Sequence, residues 1–243
     1  MARAGKPVAA VTTDQMREVD RIMVEELGIT LIQMMENAGR SLAIVVREQL
    51  GGTVAARRVL VLAGRGNNGG GGLAAARRLA VWGAQVTVVI ADAPEKFAGV
   101  PQAQLKALQA MGVDVRTAPV AALPPTDLIL DALLGYGLDG APRGEIATLI
   151  RQANAAGVPI VANDTPSGLD TTTGMAYDPC IRATVTVTLA FPKTGLLTPD
   201  AVKWVGELLV ADISVPSSVY KRLGLDAEGL FSKREIVRVP LGK

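Results

Sequence analysis

Three short segments of the sequence combine polar side chains with glycine or proline in patterns that could support chemistry. The first runs from Gly64 to Gly72 and contains the adjacent amides Asn67 and Asn68. Glycine lets a ligand approach the backbone closely, and amide groups at the start of a following helix favour an anion. The spacing is not a clean dinucleotide fingerprint, and the segment lacks the lysine of a phosphate-binding P-loop. A flexible turn is an equally good interpretation of this segment alone.

Each of the other two segments places an aspartate at the end of an apolar run. Asp131 leads into a glycine turn, and Asp164 stands three residues before Ser167 in a segment shaped by Pro166 and Gly168. An aspartate buried without a partner is costly, so each acid needs a cation, hydrogen bonds or water. Each aspartate taken alone could also serve only to cap its loop.

Taken together, the three segments offer a set of oxygen ligands. Asn68, Asp131 and Ser167 all carry oxygen atoms, and all are expected at the same edge of a sheet. One carboxylate with several neutral oxygens suits a hard cation, and a single negative charge fits a large monovalent ion better than a divalent one. Asp164 is then left free for acid–base chemistry.

The composition excludes several kinds of catalysis. The chain of 243 residues contains no histidine, which excludes serine–histidine triads, histidine-ligated zinc and histidine acid–base chemistry. Its single cysteine, Cys180, excludes an internal disulfide and is consistent with a reducing compartment. Any catalysis must therefore depend on carboxylates, lysine, tyrosine, hydroxyls, the backbone or a bound ion.

The charge and hydropathy patterns exclude two classes of partner. The 25 basic and 23 acidic residues nearly balance, and the sequence lacks the basic stripe that nucleic-acid binders carry. It also lacks an uninterrupted apolar run of about 18 residues, so we expect no membrane span. Residues 1–7 carry some charge, but no apolar run follows them, so we expect no signal peptide. These patterns predict a cytoplasmic protein that binds neither nucleic acid nor membrane.

Short apolar runs alternate with stretches of helical periodicity, which is typical of an α/β fold. We expect a mostly parallel sheet with helices on both faces and right-handed crossovers. In such sheets, ligands bind beyond the carboxyl ends of the strands. No linker-like composition or repeat divides the sequence, so residues 1–243 are predicted to form a single domain.

The individual elements follow from periodicity and from turn residues. The predicted strands are 58–63, 85–90, 113–116, 127–131, 159–162, 183–189 and 207–211. The predicted helices are 15–27, 31–50, 73–82, 102–111 and 145–156. The tail gives no clear pattern: residues 230–240 could begin a link to a further domain or form a private C-terminal strand.

A set of motifs in this order resembles the NAD(P)H-hydrate epimerases, and the resemblance covers roughly residues 12–215. Each motif alone is weak, but the set is specific. The motifs are Met35-Glu-Asn-Ala-Gly39, the Gly-Asn-Asn-Gly-Gly segment at 66–70, Asp131-Ala-Leu-Leu-Gly-Tyr-Gly137, Pro142-Arg-Gly144, Asp164-Thr-Pro-Ser-Gly-Leu169 and Phe191-Pro-Lys-Thr-Gly195.

The resemblance implies a Rossmann-like three-layer α-β-α sandwich with extra N-terminal helices, assembled as a homodimer. It implies an enzyme of metabolite repair that interconverts the R and S forms of hydrated NADH and NADPH at C6 of the nicotinamide ring. It also implies a bound potassium ion, with Asn68, Asp131 and Ser167 as its ligands. The substrate-binding residues carried over by motif are Asn67, Asn68, Gly69, Gly70, Gly71, Gly135, Tyr136, Gly137, Leu138, Asp139, Gly140, Ala141 and Asp164.

Asp164 is our candidate for the catalytic residue. The C6 carbon bears both oxygen and nitrogen, so loss and return of the hydroxyl, or ring opening and closure, would scramble its configuration. Both routes need proton transfer to and from oxygen, and Asp164 is predicted to act as general acid and base. Lys193 could assist it, could contact a phosphate, or could be an ordinary surface lysine.

The sequence departs from the family pattern at one glycine. The family motif is Gly-Asn-Asn-Gly-Gly-Asp-Gly, and Gly71 stands in place of the aspartate. The change removes a carboxylate from the substrate segment and is expected to loosen that segment. It favours an alternative function, a catalytically weakened or inactive epimerase-fold protein that serves in binding or as a scaffold. A nicotinamide-dependent dehydrogenase is a third and more distant interpretation.

Overall fold

The computed structural model of the chain describes residues 9–227 and 229–241, so the prediction about a signal peptide at residues 1–7 lies outside the described residues. Within this range the chain folds around one eight-stranded sheet. The strands are β1 (Arg58–Ala63), β2 (Gln85–Ile90), β3 (Asp114–Thr117), β4 (Leu128–Ala132), β5 (Ile160–Asn163), β6 (Val185–Leu189), β7 (Glu207–Ala211) and β8 (Ile236–Val239). The α-helices are α1 (Thr13–Arg21), α2 (Leu31–Gln49), α3 (Asn67–Val81), α4 (Gly99–Ala110), α5 (Gly144–Ala155), α6 (Val202–Val205) and α7 (Ser217–Arg222).

The strand order places a topological switch point in the middle of the sheet. The order is β3-β2-β1-β4-β5-β6-β7-β8, and the described strands pair in parallel except for β8, which is antiparallel to β7. The chain moves from β1 outward to β3 and then returns to β4 on the other side of β1. In open α/β sheets, ligands bind where the order reverses in this way. The predicted α/β class and mostly parallel sheet are confirmed.

Strand β1 shows how the helices cover both faces of the sheet. Val59 and Val61 join the core that α2, α3 and α4 cover, whereas Leu60 and Leu62 join the core that α5 covers. Successive side chains of a strand point to opposite faces, so a strand between two helical layers must be apolar at every position. This requirement explains the unbroken apolar run that marks β1 in the sequence.

Two helices precede the first strand, as the family resemblance implies. Helix α1 begins with a capping box, in which Thr12 and Gln15 each accept a hydrogen bond from the other's backbone N–H. The predicted helix at 15–27 differs at its end, because Ile22–Glu26 forms a π-helical segment. Val11 forms a parallel bridge with Lys193, which ties the start of α1 to the loop after β6.

Helix α3 begins at Asn67, so the loop predicted up to Gly72 is wrong. Glycines usually interrupt helices, but here they allow the helix to pack very closely against its surroundings. A Cβ atom at Gly69 would lie 1.7 Å from the carbonyl oxygen of Gly64. A Cβ atom at Gly72 would lie 2.4 Å from the Cβ atom of Ala132. The glycine run therefore places the start of α3 against the ends of β1 and β4.

The tail of the chain adds the last strand to the sheet. Strand β8 pairs with β7, with Val239 opposite Leu208, so residues 236–239 form the C-terminal strand that the sequence left as one of two alternatives. Before it, α7 packs Tyr220 edge-on against Phe191, with 4.5 Å between the ring centroids. Among the helices of the described range, none has the length and apolar character needed to cross a membrane.

Candidate active site

A cavity of about 560 Å³ opens at the carboxyl ends of β1, β4 and β5, beside the switch point. All three segments selected from the sequence contribute to its wall. The predicted substrate-binding residues that line it are Asn67, Asn68, Gly71, Gly135, Tyr136, Gly137, Leu138 and Asp164. Those that do not line it are Gly69, Gly70, Asp139, Gly140 and Ala141. The expected convergence of the three segments is observed, while the roles of these residues stay predictions.

Asp164 forms a buried ion pair with Lys193 in the wall of this cavity. The Lys193 ammonium group donates a hydrogen bond to Oδ1 of Asp164 and another, of 3.1 Å, to the carbonyl oxygen of Leu189. The Leu189 backbone N–H donates to the same Asp164 oxygen at 3.2 Å. The Lys193 side chain is 0% exposed. The interpretation of Lys193 as a surface lysine is therefore wrong, and its contact with Asp164 favours an assisting role.

The backbone of Asp164 lies in the left-handed region, with a φ angle of 65°. Aspartate tolerates this region better than most residues, although it is still sparsely populated. The Asp164 N–H donates to the carbonyl oxygen of Val187 at 2.8 Å, so pairing with β6 helps to hold this conformation. Backbone conformations of this kind cluster at active sites, where the surrounding structure enforces them. We therefore regard Asp164 as a candidate functional residue on structural grounds as well.

Asp131 is the second buried carboxylate, and its partners are neutral donors. It is 0% exposed at the end of β4. It accepts hydrogen bonds from the Ser167 hydroxyl at 2.7 Å, from the Ser167 N–H at 2.8 Å and from the Leu133 N–H at 3.2 Å. Burial raises the pKa of Asp131 to about 6, although these three hydrogen bonds act in the opposite direction. No lysine or arginine of the described residues pairs with it.

Asn68 is connected to the Asp131–Ser167 pair through the backbone of Leu134. The Asn68 Nδ2 atom donates to the Leu134 carbonyl oxygen at 2.8 Å, and the Leu134 N–H donates to the Ser167 hydroxyl at 2.9 Å. A Cβ atom at Gly135 would lie 3.1 Å from Cβ of Asn68, so a glycine is needed beside it. The three predicted cation ligands thus belong to one hydrogen-bonded cluster.

Asn163 is a residue of the site that the sequence analysis did not select. Its Nδ2 atom donates to the backbone oxygen of Asn68 at 2.9 Å, while its Oδ1 atom is buried without a hydrogen-bond partner among the described residues. A Cβ atom at Gly71 would lie only 2.9 Å from Nδ2 of Asn163. Gly71 is buried within α3 and leaves space for the amide, while the expected loosening of the segment stays a prediction.

Asp20 is a second cavity residue that the sequence analysis missed. It lies four residues after Met16 on α1, and both side chains line the cavity. The Tyr136 hydroxyl donates a hydrogen bond to Oδ2 of Asp20 at 2.5 Å. Nothing in the sequence distinguishes this acid from an ordinary solvated carboxylate on an amphipathic helix. Only its spacing from apolar Met16 could have placed it toward the interior.

Comparisons with known proteins agree with this architecture. The family model of the YjeF-related protein N-terminus matches residues 31–195. The chain is 44% identical to the NAD(P)H-hydrate epimerase of Dehalogenimonas lykanthroporepellens over 91% of this chain and 88% of that protein. It is 38% identical to the NAD(P)H-hydrate epimerase of Limosilactobacillus fermentum over 84% of this chain and 96% of that protein.

Two further comparisons extend the match to a longer protein and to a solved structure. The bifunctional NAD(P)H-hydrate repair enzyme Nnr of Moorella thermoacetica is 39% identical, and the match covers 86% of this chain but only 41% of that enzyme. The crystal structure of yeast ynu0 superimposes with a TM-score of 0.81 at 26% identity, covering 95% of this chain and all of that one. These matches show that the chain belongs to the NAD(P)H-hydrate epimerase family.

Proposed function

We propose that this protein is an NAD(P)H-hydrate epimerase that interconverts the R and S forms of hydrated NADH and NADPH. The observation that supports this most strongly is the buried Asp164–Lys193 pair in the wall of a cavity built from the ends of β1, β4 and β5. Relatives that this chain spans almost completely carry the name of that activity. The proposal extends their activity to this chain.

Asp164 supplies the proton transfers that epimerisation at C6 requires. The hydroxyl leaves as water only after it accepts a proton, and the returning water must lose one. A carboxyl group can do both in turn, and a positioned acid–base group typically contributes about 10²–10⁴-fold to rate. Lys193 and the Leu189 N–H fix the carboxylate through their hydrogen bonds to Oδ1.

Potassium binding is part of this proposal, with Asn68, Asp131 and Ser167 as the ligands. The donor set fits a monovalent cation, because one buried carboxylate is hydrogen-bonded to the Ser167 hydroxyl, which is linked in turn to the Leu134 carbonyl and through it to the Asn68 amide. The described residues contain no group of three or more acidic, histidine or cysteine side chains that could hold a metal ion. A bound cation would neutralise the Asp131 charge and fix the loop that carries Ser167.

A variant that tests Asp164 must also remove the charge of Lys193. Asp164→Asn alone leaves a fully buried lysine without its counter-ion, which destabilises proteins by about 3–5 kcal/mol. The double variant D164N/K193M removes both charges with little change in volume, and such replacements are often neutral for stability. We expect this double variant to fold and to epimerise at least about 100-fold more slowly. Chiral chromatography of hydrated NADH measures the rate.

Asp178→Asn provides the matched control. The Asp178 side chain is 95% exposed, lies outside the cavity wall and forms an ion pair only with Arg151 among the described residues. This variant should epimerise at the rate of the unmodified protein. Near-normal turnover in D164N/K193M would remove Asp164 from the catalytic role.

A binding or scaffold function is the second candidate, and Gly71 is the observation that favours it. The cavity lacks the carboxylate that the family motif has at this position. If the unmodified protein binds hydrated NADH in calorimetry but does not change its R to S ratio, the scaffold function replaces the enzymatic one. The homodimer implied by the family resemblance and the cytoplasmic location predicted from the sequence also stay proposals, and light scattering of the purified protein tests the first.

A further inference from the structure

Two acids besides Asp164 line the cavity and take no part in the proposed reaction, and of these Asp92 is paired with Arg65 and Lys96. Asp20 accepts a 2.5 Å hydrogen bond from the Tyr136 hydroxyl through Oδ2. Among the described residues, Tyr136 is its only hydrogen-bond partner, and no lysine or arginine pairs with it. The other oxygen, Oδ1, is thus available to a ligand. Both Asp20 and Tyr136 line the same cavity as Asp164.

The N-terminal segment holds Asp20 firmly in that position. Before α1, the Val11 N–H donates to the Pro192 carbonyl oxygen at 2.9 Å, and the Val11 carbonyl oxygen accepts from the Thr194 N–H at 2.9 Å. These two bonds flank Lys193, the partner of Asp164. At the start of α1, the Thr13 hydroxyl lies 3.1 Å from the hydroxyl of Thr171. The helix that carries Asp20 is therefore attached to the loops that carry the Asp164–Lys193 pair.

Asp164 and Asp20 reach the cavity from different elements and are connected through contacts of Lys193 and Tyr136. Asp164 comes from the edge of the sheet, and Asp20 comes from α1. The Lys193 ammonium nitrogen lies 5.8 Å from the centre of the Tyr136 ring. Tyr136 thus contacts one acid through its hydroxyl and faces the partner of the other acid through its ring. The cavity therefore brings a carboxyl group from the sheet edge and one from α1 to the same ligand space.

The protonation behaviour of Asp20 suits a proton donor. Burial raises the pKa of Asp20, and the negative charge of Asp164 acts in the same direction. The hydrogen bond from Tyr136 and the positive charge of Lys193 oppose this without reversing it. Burial and the Asp20 charge also raise the pKa of Tyr136, so its phenol stays protonated and remains a donor. Asp20 therefore holds a proton more readily than an exposed aspartate.

We propose that Asp20, positioned by Tyr136, is a second acid–base residue, and that epimerisation uses one carboxyl group on each face of the ring. This inference rests on the proposed epimerase function. The C6–O bond breaks as one carboxyl group protonates the hydroxyl, and the electron pair leaves with the departing water. The ring nitrogen lone pair forms a C=N bond. A second water adds to C6 on the opposite face and gives its proton to the other carboxylate.

The balance of this step requires nothing besides water. One water leaves and one enters, one proton is donated and one is accepted, and no electrons are gained or lost overall. The two carboxyl groups then return to their starting states by proton exchange with solvent. With a single acid–base group the hydroxyl leaves and returns on the same face, and the original configuration is restored unless the flat intermediate turns over in the site. A second carboxyl group on the other face gives inversion without that turn.

An isotope experiment separates the two carboxyl groups. Purified epimers of hydrated NADH are incubated in oxygen-18 water with the unmodified protein, Asp20→Asn or D164N/K193M. Mass spectrometry measures exchange of the hydroxyl oxygen, and chiral chromatography measures inversion. For Asp20→Asn we expect inversion to fall at least about 100-fold, while exchange without inversion persists for one epimer within about tenfold of the normal rate. The double variant should retain exchange for the other epimer.

Three outcomes would overturn the inference. Normal inversion in Asp20→Asn would show that Asp20 is not needed. Equal loss of exchange and inversion for both epimers, in a variant with normal substrate affinity and melting temperature, would place Asp20 in the same step as Asp164. If Asp20→Asn does not fold, Tyr136→Phe replaces it, and an unchanged ratio of exchange to inversion in that variant contradicts the proposal. Absence of any inversion in the unmodified protein would instead refute the proposed function itself.

Discussion

Asp131 and Asp164 end the neighbouring strands β4 and β5, and the protein stabilises the two buried carboxylates in different ways. Asp164 has a buried lysine as its direct partner. Among the described residues, the partners of Asp131 are a hydroxyl and two backbone N–H groups. The first acid is therefore neutralised within the chain, whereas the second keeps an uncompensated charge in a buried place.

The difference indicates two separate tasks for two chemically identical side chains. A carboxylate fixed by its own ammonium partner beside a cavity is suited to act on a ligand. A carboxylate whose hydrogen-bond partners are all neutral is suited to hold a cation from solution. Removing a charge should consequently change the stability of the protein by different amounts at the two acids.

The largest loss of stability is expected from removing the ammonium group of Lys193. Lys193→Met leaves Asp164 buried and unpaired, so the free energy of unfolding should fall by about 3–5 kcal/mol. Adding Asp164→Asn to this variant should restore most of the loss, because both charges are then absent. Urea denaturation of the single and double variants measures both values. A single variant as stable as the unmodified protein would contradict the ion pair.

A smaller loss is expected at the other acid. Asp131→Asn replaces one acceptor oxygen with an NH₂ group. Either the Ser167 N–H or the pair formed by the Ser167 hydroxyl and the Leu133 N–H then loses its acceptor. The free energy of unfolding should fall by about 1–3 kcal/mol. The variant should also lose the rise in melting temperature that potassium chloride gives over choline chloride. Thermal scans in both salts measure this. If the unmodified protein melts at the same temperature in both, the potassium site is refuted.

A change of about 1 kcal/mol is expected at Gly71, which lies beside the Asn163 amide. Gly71→Asp restores the side chain of the family motif but displaces the Asn163 amide and breaks its hydrogen bond to Asn68. In an Asn163→Ala background that bond is already absent, so the same substitution should then cost much less. The free energies of unfolding of the unmodified protein, the two single variants and the double variant form a double-mutant cycle. Strictly additive losses would show that the two positions are independent.

The smallest effect is an increase in stability at Asp20. Its raised pKa means that the folded protein retains a proton that the unfolded chain releases, so stability falls as pH rises through the interval between the ordinary and the raised pKa. Asp20→Asn cannot ionise and escapes this loss. Its melting temperature should exceed that of the unmodified protein near neutral pH, and the gap should narrow in acid. A difference in melting temperature that does not change with pH would contradict the raised pKa of Asp20.

The acids of this site could be predicted from the sequence, but the side chains that pair with them could not. Asp131 and Asp164 could be selected because each follows an apolar strand, and the carboxyl ends of parallel strands meet at one edge of a sheet. The partner of Asp164 is 29 residues away, in a loop after the next strand. The partner of Asp20 is 116 residues away. No local pattern links residues at such separations, because the contacts depend on how the elements pack.

The glycine segment shows where sequence reasoning fails for a physical reason. Local propensity predicts a loop through Gly69 and Gly72, since glycine is unfavourable inside a helix. The tertiary structure forms a helix there, because the close approach to Gly64 and Ala132 excludes any side chain. Packing thus overrides propensity, and a feature that the sequence presents as flexible becomes a tightly packed helix start.

The sequence by itself determined the α/β class, the parallel strands and the three segments that meet beside the switch point, because apolar periodicity and strand-end polarity are local properties. Tertiary structure alone decided that Lys193 is buried against Asp164, that Asn163 fills the space left by Gly71, and that α1 brings Asp20 into the cavity. These relations depend on distances between side chains that are remote in the chain, and only packing sets those distances.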